Sequence, residues 1–416
     1  MKDLIFLSHR LPYPPTKGDK IRSFNLLKHL ARDYRIHLGT FVDDPDDRRH
    51  IDDLKSLCAS TCFVSISPTL SRLRSLTGLA TCEPLSVRFY TCGRLARWVA
   101  QTLRRQRVSR AFVFSSPMAQ YLPDPPLERL RCVIDFVDVD SEKWRQYAEA
   151  HRWAVRWLYR REARRLLRFD RWAAAVSDVA TFVSSEEASL FQRLAPEVAD
   201  RVRVVENGVD TDFFDPAGDF PNPYQGQQQV LVFTGAMDYW ANVDAVRWFA
   251  EEVFPRIRAQ VSDCTFAIVG ARPTSTVCRL EQRGGIIVTG AVRDIRPYLA
   301  HARLAVAPLR IARGVQNKVL EAMAMGREVL ATPEAAAGIA IGPGRGFQIA
   351  ADPGKMADLA VARLREVPAA ETGAALREWV SWRYSWQQNL ARLECLLEGA
   401  PKAETARLVH GRAALA

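Results

Sequence analysis

Zinc-ligand spacing and a disulfide framework are both missing from this sequence. Its eight cysteines, Cys58, Cys62, Cys82, Cys92, Cys132, Cys264, Cys278 and Cys395, are scattered and form no C-x-x-C. They read as reduced thiols in or near a core. No G-x-G-x-x-G follows the first apolar run, and no G-x-x-x-x-G-K-[ST] occurs. Pro353-Gly354-Lys355-Met356 lacks both the leading glycine and the hydroxyl. The usual dinucleotide fingerprint and the P-loop are therefore excluded, and neither G-x-S-x-G nor H-E-x-x-H is present. No run approaches the ~18 apolar residues of a membrane-spanning helix. The opening MKDLIFLSHRLP is cut by His9 and Arg10, too early for a secretory signal. A cytoplasmic protein is expected.

With 48% hydrophobic and 25% charged residues the composition is globular. A length of 416 residues predicts two or three domains at ~100–200 residues each. Lys and Arg total 58 against 47 Asp and Glu, a net +11. Such a balance favours an anionic partner, whether phosphorylated substrate, anionic lipid or nucleic acid.

Short apolar runs recur through the second half: Val230–Thr234, Thr265–Gly270, Ile286–Thr289, Leu304–Pro308 and Glu328–Thr332. They are rich in Val, Ile and Ala, as buried parallel strands are. Helical patterns lie between them: Val243–Ile257 with Asn242 as N-cap, and Val319–Met325 closed by Gly326. The first half repeats the rhythm, with strands at Leu4–Ser8, Ile36–Phe41, Cys62–Ile66, Ala111–Ser115, Cys132–Val137, Thr181–Ser184 and Val202–Val205. Helices are expected near Ile21–Arg32, Arg94–Arg105 and Lys143–Trp172. The whole reads as α/β with two doubly wound parallel sheets. The Pro- and Gly-rich run from Asp215 to Gln229 marks the junction. The expected domains are 1–215, a linker at 216–229, 230–378, a crossover region at 379–399 and a tail at 400–416. Ligands of such sheets bind beyond the carboxyl ends of the strands, so a cleft between the domains is expected.

The densest chemistry lies between Ala307 and Gly326. A buried strand ends at Pro308, a glycine loop follows, and a helix is expected to start near Val315. Amides of Gly314 and Val315 at a helix start favour an anion. Arg310 and Lys318 add positive charge, and Glu321 lies one turn beyond Lys318. Diphosphate on the amides and ribose hydroxyls on Glu321 would accommodate a nucleoside diphosphate. A surface Lys–Glu pair fits the same spacing.

This stretch resembles the donor-binding signature of the retaining family 4 glycosyltransferases (glycosyltransferase group 1) of the GT-B fold. Val205-Glu-Asn-Gly-Val-Asp-Thr-Asp-Phe-Phe-Asp-Pro216 is similar to that family's N-G-V-D-x-x-x-F-x-P segment. Phe233-Thr-Gly-Ala-Met-Asp-Tyr-Trp-Ala-Asn-Val-Asp-Ala245 resembles its first C-terminal-domain strand and loop, and Ala267–Gly270 and Val288–Asp294 resemble the next two. The nearest resemblance is to transferases of bacterial exopolysaccharide and exosortase clusters. It implies two Rossmann-like domains, a C-terminal helix crossing back to the first, a nucleoside-diphosphate sugar as donor, a glycan or lipid-linked acceptor, no cofactor and no essential metal. It places donor contacts at Gly18, Gly235, Arg313, Gly314, Val315 and Glu321, with Arg310 and Lys318 stabilising the leaving diphosphate. Two departures stand out. The first Glu of the family's E-x7-E is Arg313 here, and the G-R…K after the first C-terminal-domain strand is replaced by Gly235-Ala-Met-Asp238.

In the first half, Gly18 keeps one of the family's two loop glycines, and His9 ends the first strand. Asp138, within Asp135-Phe-Val-Asp-Val-Asp140, is a candidate contact to the transferred sugar or acceptor. A solvated carboxylate cluster is the other reading of that run. Lys143–Trp172 carries ten basic residues with interleaved Trp144, Trp153, Trp157 and Trp172, and Ser71–Ala80 is a second Arg/Leu segment. Either suits an anionic membrane surface; both also suit packed helices. A GT-B nucleotide-sugar epimerase, a non-catalytic scaffold and a nucleic-acid-binding protein are the alternatives. The last lacks any reading motif, so no nucleic-acid partner is expected.

Overall fold

The computed structural model describes residues 1–15, 18–150, 153–227, 229–312, 314–340, 344, 346–367 and 370–399. The chain divides into two units, 1–206 with 387–416, and 207–386.

The first unit is built on a seven-stranded, all-parallel sheet. Its strands are β1 (Lys2–Ser8), β2 (Tyr34–Val42), β3 (Ser60–Ser65), β4 (Val108–Phe114), β5 (Arg131–Val137), β6 (Val179–Phe182) and β7 (Val202–Val204), in the order β3-β2-β1-β4-β5-β6-β7. Five of the seven positions of β4 and β5 are buried, as expected for strands covered on both faces. One polar group crosses this core. Arg22, on the helix Gly18–Leu30, makes a bidentate ion pair with Asp135 at 2.7 and 3.0 Å and donates to Val205 O at 2.7 Å. Thr181 Oγ1 donates to the same carboxylate. With Arg22 and Asp135 each about 1% exposed, this network fixes the first helix against the sheet.

The second unit has a six-stranded parallel sheet: β8 (Val230–Thr234), β9 (Thr265–Val269), β10 (Ile286–Val288), β11 (Leu304–Ala307), β12 (Val329–Ala331) and β13 (Phe347–Ile349), in the order β10-β9-β8-β11-β12-β13. The chain runs outward from β8 to β10 and then returns to the other side of β8. The switch point between β8 and β11 is where such sheets receive ligands. Both sheets have the doubly wound topology expected of them.

Several expectations change. The junction lies at Glu206/Asn207 rather than after Asp215. The run 216–229 is not a free linker: Tyr224 is 2% exposed, packs in the second unit's core and donates its hydroxyl to Tyr298 O at 2.7 Å. Proline and glycine there shape turns rather than slack. The Asn207-Gly208-Val209 segment is zipped to the end of the second unit, with Val209 N donating to Tyr384 O at 2.7 Å. A Cβ on Gly208 would stand 2.6 Å from Trp386 N, which explains the glycine. The aromatic residues Trp379 and Tyr384 belong to the second unit's packing, not to a crossover. The crossover is the last helix, Trp386–Glu398, from Gln387 onward. It is tied to the first unit by Glu398, which accepts from Tyr34 Oη at 2.6 Å and Arg110 Nη2 at 2.9 Å and pairs with Lys2. The tail 400–416 lies outside the described residues.

Lys143–Trp172 is two helices, Asp140–Ala150 and Trp153–Val176, rather than one. Trp144 packs on Tyr159, 5.3 Å between ring centroids. Among the described residues, no helix is long and apolar enough to cross a membrane.

Candidate functional site

In the second unit, the carboxyl ends of β8 and β9 meet without side chains. Gly235 N donates to Val269 O at 3.0 Å, and a Cβ on Gly270 would fall 1.7 Å from Gly235 O. Gly235 itself has φ +156°. A Cβ there would lie 2.8 Å from Asn242 Nδ2 and 3.2 Å from Lys318 Nζ. The glycine therefore leaves room for a three-residue relay. Asn242 Nδ2 donates to Ala236 O at 2.9 Å, and Lys318 Nζ donates to Asn242 Oδ1 at 2.6 Å. Asn242 was expected to cap its helix. Instead it lies inside the first turn of Trp240–Trp248, whose N-cap is Tyr239, and its amide holds the lysine.

Lys318 also sits 4.2 Å from the centroid of the Phe233 ring. Burial drives its pKa down, to about 7, against the opposing pull of Glu321. Burial likewise drives the Glu321 carboxyl up, to about 7, with Lys318 opposing. The two groups are one turn apart, but the lysine reaches Asn242. Among the described residues, no side chain or amide is hydrogen-bonded to the Glu321 carboxylate. A desolvated carboxylate with its lone pairs uncommitted is suited to accept hydrogen bonds from a ligand's hydroxyls.

The helix carrying both groups is Asn317–Ala324, with Gln316 as N-cap. It starts two residues later than the expected Val315. Gly314 takes φ +62°, which turns the chain into the helix. Among the described residues, the N–H groups of Gly314, Val315, Asn317 and Lys318 have no acceptor. These donors and the positive end of the helix give a turn of the kind that suits an anion. Asn207 braces it, donating to Asn317 Oδ1 at 3.3 Å. Its place in the N-G-V-D segment is the one hint the sequence gives of this role. At the other end, Arg377 ties Ala324 O to the carbonyls of Thr211 and Phe214 at 2.5 to 3.0 Å.

Arg310 is placed differently from expectation. It makes a two-point ion pair with Asp244, at 3.0 and 2.5 Å. Its charge is thus largely committed to a partner the sequence reading missed. Arg313 lies outside the described residues.

Gly18 and Asp138 belong to the first unit. Gly18 opens the helix Gly18–Leu30. Asp138 follows Val137, a β-branched residue at φ +69°, and such a conformation stores roughly 1–3 kcal/mol. Its carboxylate is not free: Lys143 Nζ bridges Asp138 and Asp140 at 2.8 Å each. Burial opposes the Lys143 charge, but the two carboxylates outweigh it and hold its pKa well above the usual lysine value. The D-x-D at Asp138 and Asp140 is thus bridged by one ammonium from the helix Asp140–Ala150.

A second polar cluster gathers at the ends of β1 and β2. His9 stacks on Phe114 at 5.7 Å and meets the edge of Tyr90 at 5.6 Å. Its Nε2 lies 3.6 Å from Asp19, and its buried Nδ1 has no partner among the described residues. Arg10 lies 2.9 Å from both Asp19 and Asp43. Burial raises the Asp19 pKa, but the adjacent His9 and the Arg10 guanidinium outweigh it and leave a net depression. Asp19 and Asp43 were not foreseen; an Asp following Gly18 is the available signal.

Residues 228–366 match the sequence family described as Glycosyl transferases group 1, which covers the second unit's sheet and not the first unit. No curated protein sequence matches the chain. Its fold is similar over nearly its full length to several solved structures. HepE of Anabaena, solved in complex with UDP and glucose, is 14% identical with a TM-score of 0.66, covering 96% of this chain and 100% of its own. Sucrose-phosphate synthase of Thermosynechococcus elongatus is 16% identical, also at 0.66, covering 96% and 99%. WaaG, a glycosyltransferase involved in lipopolysaccharide biosynthesis, is 15% identical at 0.63, covering 95% and 100%. The fold is GT-B.

Proposed function

We propose that the protein is a retaining glycosyltransferase that moves a sugar from a nucleoside-diphosphate sugar to a glycan or lipid-linked acceptor. The observation that carries the reading is the second unit's turn, with its unpaired amides, poised Lys318 and uncommitted Glu321 carboxylate. The family match over residues 228–366 and the fold shared with HepE, solved with UDP and glucose, support the choice of ligand.

In this reading the diphosphate lies on the amides of Gly314 and Val315. Lys318 takes up a proton as the anion arrives and stabilises the leaving diphosphate. Glu321 accepts hydrogen bonds from the ribose hydroxyls, and Gly235 lets the donor approach the backbone closely. Asn242 orients Lys318. Arg313 is a further donor contact, and Arg310 contributes by exchanging Asp244 for phosphate. Gly18 is a further donor contact, and Asp138 makes a polar contact to the transferred sugar or acceptor. No carboxylate is assigned as a covalent nucleophile, so same-face displacement is the proposed course, without a metal. The place of work is the cytoplasmic face of a membrane, in cell-surface polysaccharide synthesis.

Incubation with UDP-, GDP- and ADP-sugars tests this directly. Release of nucleoside diphosphate that depends on added acceptor supports transfer. Interconversion of two nucleotide sugars without acceptor would select the epimerase, and absence of any nucleotide binding would select the scaffold.

A further inference from the structure

The helix Pro68–Ser75 and the 3₁₀ turn Leu76–Leu79 are amphipathic in the wrong sense. They bury Ser71, Ser75 and Gly78 against the first unit. They expose Leu70, Leu73, Leu76 and Leu79, at 67%, 61%, 47% and 41%. Positions three apart are neighbours on the α-helix and nearly eclipsed in the 3₁₀ turn, and all four leucines are exposed, so they follow one another along one outward ridge. Burial of leucine is the ordinary outcome, and four in a row left in water mark an interaction surface.

The ridge is held rigidly. Arg161, buried on the helix Trp153–Val176, donates to the carbonyls of Gly78 and Thr81, the latter at 2.7 Å. Glu162 beside it accepts from Leu85 N and Ser86 N at 2.8 Å each. One turn before Arg161, on the same helix face, stands Trp157, 59% exposed. Arg160 and Arg164 are exposed next to it. The ridge carries Arg72 and Arg74 between its leucines, and no acidic residue occurs between Lys55 and Glu83. Glu83 is paired with Arg88 at 3.1 Å.

We infer that this face of the first unit docks on an anionic lipid bilayer, with the leucine ridge entering the headgroup–acyl boundary and the arginines meeting lipid phosphates. Charge complementarity selects the occupant: leucines alternating with arginines, a bordering tryptophan and no free acid suit an anionic interface. The surface overlaps the expected Lys143–Trp172 segment only at Trp157, Arg160 and Arg164; elsewhere in that segment Trp144 is packed, Arg145 is tied to Glu142 and Glu149, and Arg161 is structural. The inference gives the proposed lipid-linked acceptor a route to the protein, but it stands on this face alone.

The test is co-sedimentation of the full chain with phosphatidylcholine vesicles, with and without phosphatidylglycerol. Wild type is expected to sediment with the anionic vesicles at low salt, much less at high salt, and not with neutral ones. Each arginine at such a surface is worth about fivefold in partitioning, and the effect fades within a Debye length of about 8 Å at physiological salt. Leu70→Ser with Leu73→Ser and Leu76→Ser should cut partitioning by on the order of tenfold or more. Replacing Arg72, Arg160 and Arg164 by Gln should weaken binding and flatten its salt dependence. Because the leucines are exposed, the variant should melt as wild type does and keep its nucleotide-induced shift. A protein that binds no nucleotide yet sediments as described would refute the transferase reading and leave this one standing. Absence of binding to anionic vesicles at low salt overturns the inference, as does a leucine variant that binds like wild type. So does a wild-type dimer in solution that the leucine variant converts to monomer, which would make the ridge an interface between copies.

Discussion

Replacing Lys318 by Met should raise stability and abolish donor binding together. Burial lowers the lysine pKa from 10.5 to about 7 in the folded protein. Between those values the unfolded chain binds more protons than the folded one, so the native lysine costs stability, and the cost shrinks as pH rises toward 10.5. At pH 8 the cost is at most about 3.5 kcal/mol, from ~1.4 kcal/mol per unit over the interval between 8 and 10.5. Methionine fills a similar volume beside Phe233 but forfeits the 2.6 Å hydrogen bond to Asn242, a loss of about 1 kcal/mol. The net expectation is a gain of roughly 1–2 kcal/mol, or about 2–8 °C for a unit of this size. The gain should narrow as pH is raised from 7.5 to 9.5, by up to ~1.4 kcal/mol per unit. Differential scanning calorimetry across that range reads it. Isothermal titration calorimetry with UDP in buffers of different ionisation enthalpy adds the second half: wild type takes up protons on binding above pH 7, and the variant neither binds nor takes them up. A Lys318→Met protein that melts well below wild type at pH 8 would show the ammonium to be a structural tie and refute the reasoning.

Glu321→Ala should weaken nucleoside-diphosphate affinity about ten- to a hundredfold, the worth of ~1.5–3 kcal/mol of charge-assisted hydrogen bonds, as read by titration calorimetry. Gly235→Ala places a Cβ 2.8 Å from Asn242 Nδ2 and should cut donor binding by displacing Asn242 and Lys318, with the far-ultraviolet circular dichroism unchanged. Arg22→Ala leaves Asp135 charged and buried and should cost about 3–5 kcal/mol in urea unfolding. Transfer should survive EDTA, since Lys143 already bridges Asp138 and Asp140; loss of activity restored by manganese would contradict this.

How much could be read beforehand depended on whether the signal was local. The run Val230–Thr234 is a strand with the predicted bounds because both its faces are buried, so apolarity is continuous. β13 escaped because Phe347–Ile349 is only three residues long and follows a glycine-rich stretch. Lys318 and Glu321 were visible as a spacing, but Lys318 is set between Phe233 and Asn242, some 75 to 85 residues earlier, which no local pattern links to it. Arg310 looked like a free cation because its partner Asp244 sits 66 residues earlier, on the helix Trp240–Trp248. Asp138 looked open because the return of Lys143 onto it depends on the turn at Val137. The 216–229 run shows that composition can mimic a linker when its prolines and glycines shape a packed turn around Tyr224. The leucine ridge was likewise ambiguous: the same spacing serves a core, and burial of Ser71 and Ser75 decides its outward direction.

The central claim is that the turn at Gly314 with Lys318 and Glu321 binds a nucleoside diphosphate. A thermal-shift titration of wild type and Glu321→Ala against UDP, GDP and ADP tests it most directly. A ligand at a hundred times its dissociation constant adds ~2.7 kcal/mol, about 5–11 °C for a unit of this size. The account predicts that at least one of the three nucleotides raises the wild-type melting temperature by several degrees and that Glu321→Ala loses most of that rise. No shift with any of them at millimolar concentration, or an equal shift in the variant, would contradict it.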